Sequence, residues 1–270
     1  MPEGPEIRRT ADRLAAAVAG QPLRSAWFAF PELAAFAPRL VGRRIRAIEP
    51  HGKALLARFD NGWTLYTHNQ LYGMWKVCRA GERPQTARSL RVALETADSA
   101  ILLYSASDIA MLRDTELATH PFLSRLGPDV LDPGLEAEAI EARLQSPAFA
   151  RRRLGGLLLD QGFLAGMGNY LRAEALFEAG IAPQRRPMDL SPGERAALAQ
   201  VLLEVPRRSY RSRGIEPARG MRGDYLSDTP DGFRFQVFDR AGLHCPRCGT
   251  PIVRGTDAGR RIYACPHCQR

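Results

Sequence analysis

Cys245-Pro246-Arg247-Cys248 and Cys265-Pro266-His267-Cys268 hold four of the five cysteines of the chain within its last 26 residues, with 16 residues between the pairs. That is the C-x2-C-x15–20-C-x2-C spacing of a structural zinc site, in which four thiolates close the tetrahedron and leave no open position for catalysis. A redox pair or a set of buried thiols would not produce two matched pairs separated by the length of a β-hairpin. The sequence therefore predicts one structural Zn2+ on Cys245, Cys248, Cys265 and Cys268. Cys78, alone in a strand-like run, is expected in a core. Residues 232–270 also carry seven arginines against Asp239 and Asp257, so this end stays positive even with the −2 of a zinc tetrathiolate. It reads as a basic finger able to touch phosphates, or as a solvated basic surface.

Working back from the finger, residues 211–231 are rich in arginine, glycine and aspartate and are expected to form a long mobile loop. Before it, apolar faces at helical spacing predict helices over 192–208, 170–179, 154–161 and 135–144. Residues 107–133 lose all alternation, gather Pro121, Gly127, Pro128 and Pro133, and read as a connection containing a short helix. From 23 to about 106 the pattern is one of short strands. Residues 54–59 and 63–67 are joined by Asp60-Asn61-Gly62, and 90–95 and 101–104 flank a turn at 97–100. Several such hairpins make an antiparallel sandwich or barrel. Ile7, Ala11, Leu14, Ala15 and Val18 define a first helix starting near Glu6 and ended by Gly20 and Pro22.

A length of 270 residues suits about two domains. No uncharged apolar run approaches the roughly 18 residues of a membrane helix. The start of the chain has no basic leader followed by an apolar core, which makes a reducing cytoplasmic compartment the expectation. Thirty-eight basic against 29 acidic residues give a net charge of +9, favouring polyanionic partners such as nucleic acid or an anionic membrane surface. Only Lys53 and Lys76 among the basic residues are lysines.

Pro2 follows the initiator methionine, and so small a second residue permits methionine removal, leaving a secondary amine at the chain start. An α-amino group titrates near roughly 8, so part of it is unprotonated and nucleophilic at neutral pH. It suits iminium formation at a carbonyl-level carbon such as C1′ of a deoxyribose. Glu3 beside it could move the proton that ring opening needs. Read alone, Pro5 and Glu6 fit a plain helix start equally well.

The combination is more specific than its parts. Met1-Pro2-Glu3-Gly4-Pro5-Glu6-Ile7, His51-Gly52-Lys53-Ala54-Leu55-Leu56, Tyr66-Thr67-His68-Asn69-Gln70-Leu71-Tyr72-Gly73, the segment from Leu158 to Arg172 with its Gly166-Met167-Gly168-Asn169 turn, and the four-cysteine end occur in this order over nearly the whole chain. Together they resemble the formamidopyrimidine-DNA glycosylase and endonuclease VIII superfamily of bifunctional base-excision repair enzymes; Gly4 and Gln70-Leu71-Tyr72 resemble its endonuclease VIII branch.

The resemblance implies an α+β fold: an N-terminal antiparallel β-sandwich flanked by helices, then a helical helix-two-turn-helix domain with a four-cysteine zinc-finger β-hairpin. The divisions it implies are 1–125, a linker at 126–133, 134–231 and 232–270. It implies a DNA glycosylase and abasic-site lyase that removes oxidised pyrimidines and cuts by β,δ-elimination. Pro2 would be the Schiff-base nucleophile, Glu3 the proton donor, Lys53 a participant in the elimination, and Arg260 the finger-tip arginine that contacts the lesion phosphates and is tied to the second elimination. Gln70, Leu71 and Tyr72 would fill the void left by a flipped nucleotide, although without the family Leu71 and Tyr72 read as core strand residues. Arg125 and Asn169 would contact phosphates, Asn169 with a rival role as N-cap; Glu6 and Arg172 would support. The partner implied is double-stranded DNA carrying oxidised bases or abasic sites, met by a monomer without membrane attachment, nucleoid-associated within a bacterial cytoplasm. An oxidised-purine glycosylase of the same superfamily and a non-catalytic zinc-finger DNA-binding protein are the alternatives; the latter would have no reason to keep Pro2, Glu3 and Lys53 together.

Overall fold

The computed structural model describes residues 2–216 and 232–270. Two compact units divide the chain. One holds Pro2 and Ile7–Ser124, and the other holds Glu3–Glu6 with Arg125–Arg270.

In the first unit the stripe Ile7, Ala11, Leu14 and Val18 lies buried along helix α1 (Gly4–Val18), which ends at Gly20 with φ +76°. Strand β1 (Ser25–Phe28) and the single-turn helices α2 (Pro31–Ala34) and α3 (Ala37–Leu40) follow. Then come β2 (Ile45–His51), β3 (Ala54–Phe59), β4 (Trp63–His68), β5 (Met74–Arg79), β6 (Leu90–Glu95), β7 (Ser99–Tyr104) and β8 (Asp108–Arg113). They make two four-stranded antiparallel sheets, ordered β1-β6-β7-β5 and β2-β3-β4-β8. Alternation decides what lies between them. Ile101 and Leu103 of β7 join Phe59, Leu65 and Leu14 in the main core, while Ala100, Leu102 and Tyr104 form a smaller cluster on the other face. This is the sandwich rather than the barrel. Strand β8 lies inside the stretch expected to be a connection. Its Ile109 and Met111 are its main apolar signal, and it is an edge strand whose pairing with β4 supplies what its own pattern lacks. The β6–β7 reversal is tighter than expected, with Thr96 N–H bonding Ser99 O at 2.8 Å. Cys78 is half-buried on the outer face, its Sγ 3.5 Å from Glu82 O, and not part of the main core.

The second unit is helical: α4 (Ala137–Gln145), α5 (Leu154–Leu157), α6 (Asn169–Glu178) and α7 (Pro192–Arg211). Ser191 and Glu194 form a capping box at the start of α7. Helix α5 stops well short of residue 161 because Asp160 turns the chain, its Oδ1 accepting from Gly162 N at 2.8 Å. Residues 127–130 bond Gln161 and Ala165 through backbone groups. The core gathers Leu144, Leu157, Phe163, Leu171, Leu176, Leu198 and Leu202, and β9 (Val253–Asp257) pairs with β10 (Arg260–Ala264) in a hairpin. Of the expected loop, Arg211 ends α7, Ser212 is its C-cap and Ile215 bridges to Phe233, whereas 217–231 lie outside the described residues. No helix among the described residues is long and apolar enough to cross a membrane.

Phe59 is fully buried in the sandwich core. Phe59→Ala is expected to lower stability by about 3–5 kcal/mol, read as a shifted urea midpoint with unchanged slope.

Candidate active site and metal centre

Helix α6 begins in a turn that only glycine can make. Gly166 has φ +91°, and Gly168 is the N-cap, contributing no side chain of its own. Its place is taken by Glu3: a Cβ on Gly168 would stand 2.2 Å from the Glu3 carboxyl carbon. The buried Glu3 carboxylate instead accepts from the N–H of Tyr170 (2.9 Å) and of Leu171 (3.2 Å). A carboxylate at a helix N-terminus satisfies orphan donors and meets the positive end of the dipole. Gly4 permits the approach, since its N–H bonds Gly166 O at 2.8 Å and its α-carbon faces Gly166 so closely that a Cβ would lie 3.2 Å from the Gly166 Cα.

Glu6 completes the arrangement. One oxygen accepts from Glu3 N at 2.9 Å, half of a capping box at the start of α1, and the other from the Tyr170 hydroxyl at 3.0 Å. That hydroxyl also lies 2.9 Å from Ser209 Oγ on α7, so a buried chain of hydrogen bonds runs Ser209, Tyr170, Glu6, Glu3. The Tyr170 ring packs against Phe233, Phe235 and Phe238.

Asn169 is the first residue of α6 rather than its N-cap, and its Oδ1 accepts from Arg172 Nη2 at 2.5 Å. Arg172 is fully buried and also donates to Gly155 O (2.7 Å) and Arg261 O (2.9 Å). Burial pushes its guanidinium down to about 10, opposed by Asp257 and Glu3. It remains a cation at neutral pH. Glu174, one turn on, is buried too. Its carboxylate receives the N–H groups of Gln236, Val237 and Phe238 at 2.8, 3.0 and 2.8 Å, and burial moves its titration upward against those donors.

The other expected residues fall into separate places. Pro2 is buried and belongs to the first unit. Lys53 is half-buried on the β2–β3 turn, where Gly52 has φ +60°. It is close enough to His68 to help lower that imidazole's titration, after burial, which is the larger cause, and against Asp108. His68 Nδ1 accepts from Gln70 N at 3.1 Å. Gln70 has φ +47°, and Leu71 and Tyr72 are 53% and 68% exposed. They are loop-tip residues, not the core strand residues that their apolarity suggests. Arg125 is exposed at the end of the 3-10 turn Leu123–Arg125, and Arg260 is exposed at the start of β10.

The sulfurs of Cys245, Cys248, Cys265 and Cys268 all lie within 4.8 Å of one another, with Cys245–Cys268 at 3.8 Å and Cys248–Cys265 at 3.5 Å. A tetrahedron with ligand distances of about 2.3 Å has edges near 3.8 Å, so the four fit a single metal ion. Hydrogen bonds from the Thr250 side chain and backbone bring Cys248 down to about 6, whereas burial moves Cys265 upward and the hydrogen bond with Cys248 moves Cys268 upward.

The structure thus gathers Glu3, Glu6, Asn169 and Arg172 at the start of α6, and the four cysteines at the hairpin. Sequence reading missed Tyr170, Ser209, Glu174 and Asp257. Tyr170 and Glu174, with Arg172, were visible only as polar positions in the Tyr170–Phe177 run, every residue of which is buried.

Residues 1–107 match the formamidopyrimidine-DNA glycosylase N-terminal domain family and 126–216 its H2TH domain family. The chain is 56% identical over 270 residues to endonuclease 8 of Enterobacter sp. strain 638, each covering all of the other. Among solved structures it is similar to Lactococcus lactis Fpg in complex with a DNA containing N7-benzyl-Fapy-dG (TM-score 0.84, 20% identity, all of both chains covered). It is equally similar to Lactococcus lactis Fpg in complex with a DNA containing an abasic site (TM-score 0.84, 20% identity, 99% of both chains covered). With a full-length match at this identity and a glycine-built α6 turn closed by Glu3, the chain belongs to the formamidopyrimidine-DNA glycosylase and endonuclease 8 family of base-excision repair glycosylase/lyases.

Proposed function

We propose that this chain excises oxidised pyrimidines from double-stranded DNA and then cuts the abasic strand, with Pro2 as nucleophile once Met1 is removed. The observation that carries this reading is the seating of Glu3 on the N-terminus of α6, which holds a proton-transfer group covalently next to the Pro2 amine. The Pro2 nitrogen bonds C1′ as the base departs, and Glu3 delivers the proton that opens the sugar ring at O4′. Loss of a C2′ proton then forms a C=C bond as the C3′–O3′ bond breaks, cutting 3′ to the lesion. Loss of a C4′ proton breaks C5′–O5′ and leaves a 3′-phosphate; water hydrolyses the remaining iminium and frees Pro2. Lys53 serves the first elimination and Arg260 the second. Gln70, Leu71 and Tyr72 fill the void left by the flipped nucleotide, an assignment that their exposure supports. Arg125 and Asn169 meet phosphates, while Glu6 and Arg172 support. The 56% identity to endonuclease 8, against 20% to Fpg, favours pyrimidine over purine lesions. The domain divisions proposed remain 1–125, 126–133, 134–231 and 232–270. The protein acts as a monomer in the cytoplasm, associated with the nucleoid.

The metal proposed for the four cysteines is one structural Zn2+, since four thiolates close the coordination sphere and suit a soft, tetrahedral ion. What it supplies is folding energy for the hairpin that bears Arg260, not chemistry.

Borohydride reduction of the protein on thymine-glycol or abasic duplex DNA is expected to trap an adduct that peptide mass spectrometry places on residue 2. A chain with free Pro2 that binds abasic DNA but leaves no adduct would favour the binding-protein reading. Gly168→Ala drives a methyl into the Glu3 carboxyl, and single-turnover base excision is expected to fall about 100-fold, the scale of a 1 Å misplacement. Metal analysis is expected to give one zinc per chain, released by a thiol-specific mercurial and absent from Cys265→Ser, with far-UV dichroism of the helices retained.

A further inference from the structure

Arg260 opens β10 directly opposite Asp257, the last residue of β9, across the turn Ala258-Gly259. Both turn residues have positive φ, +49° and +70°, as a two-residue reversal demands. The two strand ends face different surroundings. Arg260 is exposed, whereas Asp257 Oδ2 is wholly buried and has no hydrogen-bond partner among the described residues. It sits in the space vacated by a missing side chain, 2.0 Å from where a Cβ on Gly155 would stand.

The same glycine holds Arg172. Its carbonyl oxygen accepts from Arg172 Nη1 at 2.7 Å, and the neighbouring Nη2 donates to Arg261 O, one residue beyond Arg260. Arg172 Nε, like Asp257 Oδ2, is buried with no partner among the described residues. A buried cation and a buried carboxylate oxygen thus converge on Gly155 from α6 and from the hairpin. Burying the Arg172 cation is costly, and Asp257, half-buried as a residue, offsets part of that cost beside the hydrogen bonds to Gly155, Asn169 and Arg261. Of the charges near Arg172, Asp257 favours its cation most, ahead of Glu3.

We propose that Asp257 is a positioning residue for Arg260: seated over Gly155 as the counter-charge of buried Arg172, it holds the hairpin tip in the orientation from which Arg260 serves the second elimination. The proposal rests on the role given to Arg260 above. Asp257 itself touches no reacting atom. It acts through Arg172, which clamps the backbone of β10, and through its own place opposite Arg260. Base removal and the first elimination belong to other residues.

Asp257→Asn keeps the shape and removes the charge. On abasic duplex DNA the ratio of 3′-phosphate ends to unsaturated-aldehyde ends is expected to fall by about 5- to 30-fold, the effect of one or two kcal/mol. The ratio is read at equal extents of strand cleavage, so that a change in binding or base excision does not move it, and metal content is expected to be unchanged. Gly155→Ala, which displaces Asp257 Oδ2 without touching a cysteine, is expected to give the same fall and decides the matter if the asparagine variant loses its metal. Arg260→Ala is the reference. If it lowers the ratio while both other variants keep it at the parent value, the positioning role is overturned. If Arg260→Ala leaves the ratio unchanged, the role of Arg260 is itself wrong and the proposal falls with it.

Discussion

The rest of the second unit's site depends on one contact, the Glu3 carboxylate on the first free N–H groups of α6. Helix starts leave donors that are most often met by a serine, threonine, asparagine or aspartate at the N-cap. Here the N-cap is glycine and the acceptor comes from 167 residues away in sequence. Three glycines exist for this. Gly168 vacates the space that Glu3 occupies, Gly166 takes a backbone conformation other residues resist, and Gly4 lets the two backbones meet. A helix end that would ordinarily cap itself has been left open so that the residue beside Pro2 can be fixed.

Helix α6 also departs from the usual surface helix, whose polar face meets water. From Tyr170 to Phe177 every residue is buried, including Arg172 and Glu174. Each buried charge is turned to local backbone: Arg172 toward the carbonyls of Gly155 and Arg261, Glu174 toward three successive N–H groups at 236–238. Backbone partners do not move by rotamer, so these groups specify where the chain before the finger and strand β10 must lie. Apolar residues of similar volume could give as much stability but would not prescribe register. The hairpin carrying Arg260 is therefore located by charges on α6 as well as by its own cysteines.

Much of this was legible in the sequence and some was not, for identifiable reasons. The cysteine spacing specified the four-sulfur cluster because ligand geometry is local, and the stripe of α1 and the hairpins of the first sheet pair followed from period and turn residues. Strand β8 escaped because an edge strand with two inward apolar residues leaves little alternation to read. Helix α5 is shorter than its pattern suggests because Leu157, Leu158, Phe163 and Leu164 keep a helical apolar count through what is a turn set by Asp160. Tyr170, Ser209, Glu174 and Asp257 were invisible as site residues since what defines them is burial against partners distant in sequence. Asn169 shows the converse: its residue type suits an N-cap, yet the cap had already been supplied from outside the helix.

The loop at Gln70 makes the same point in the first unit from the opposite direction. Leu71 and Tyr72 expose large apolar surface at a loop tip, where folding gains nothing from them. The loop is nonetheless strongly determined. Gln70 holds a left-handed backbone against His68 Nδ1, a costly conformation for a residue with a side chain. Gly73 packs on Asn69 so closely that a Cβ would stand 2.7 Å from its Cα, and Arg88 ties the Tyr72 carbonyl at 2.8 Å. Strain and exposed apolar surface persist together only where the surroundings over-determine them. Under the void-filling role proposed for Gln70, Leu71 and Tyr72, a loop shaped in advance would not need ordering as it entered a base stack, so the cost borne in the unbound protein would be removed from the step at which the nucleotide is expelled.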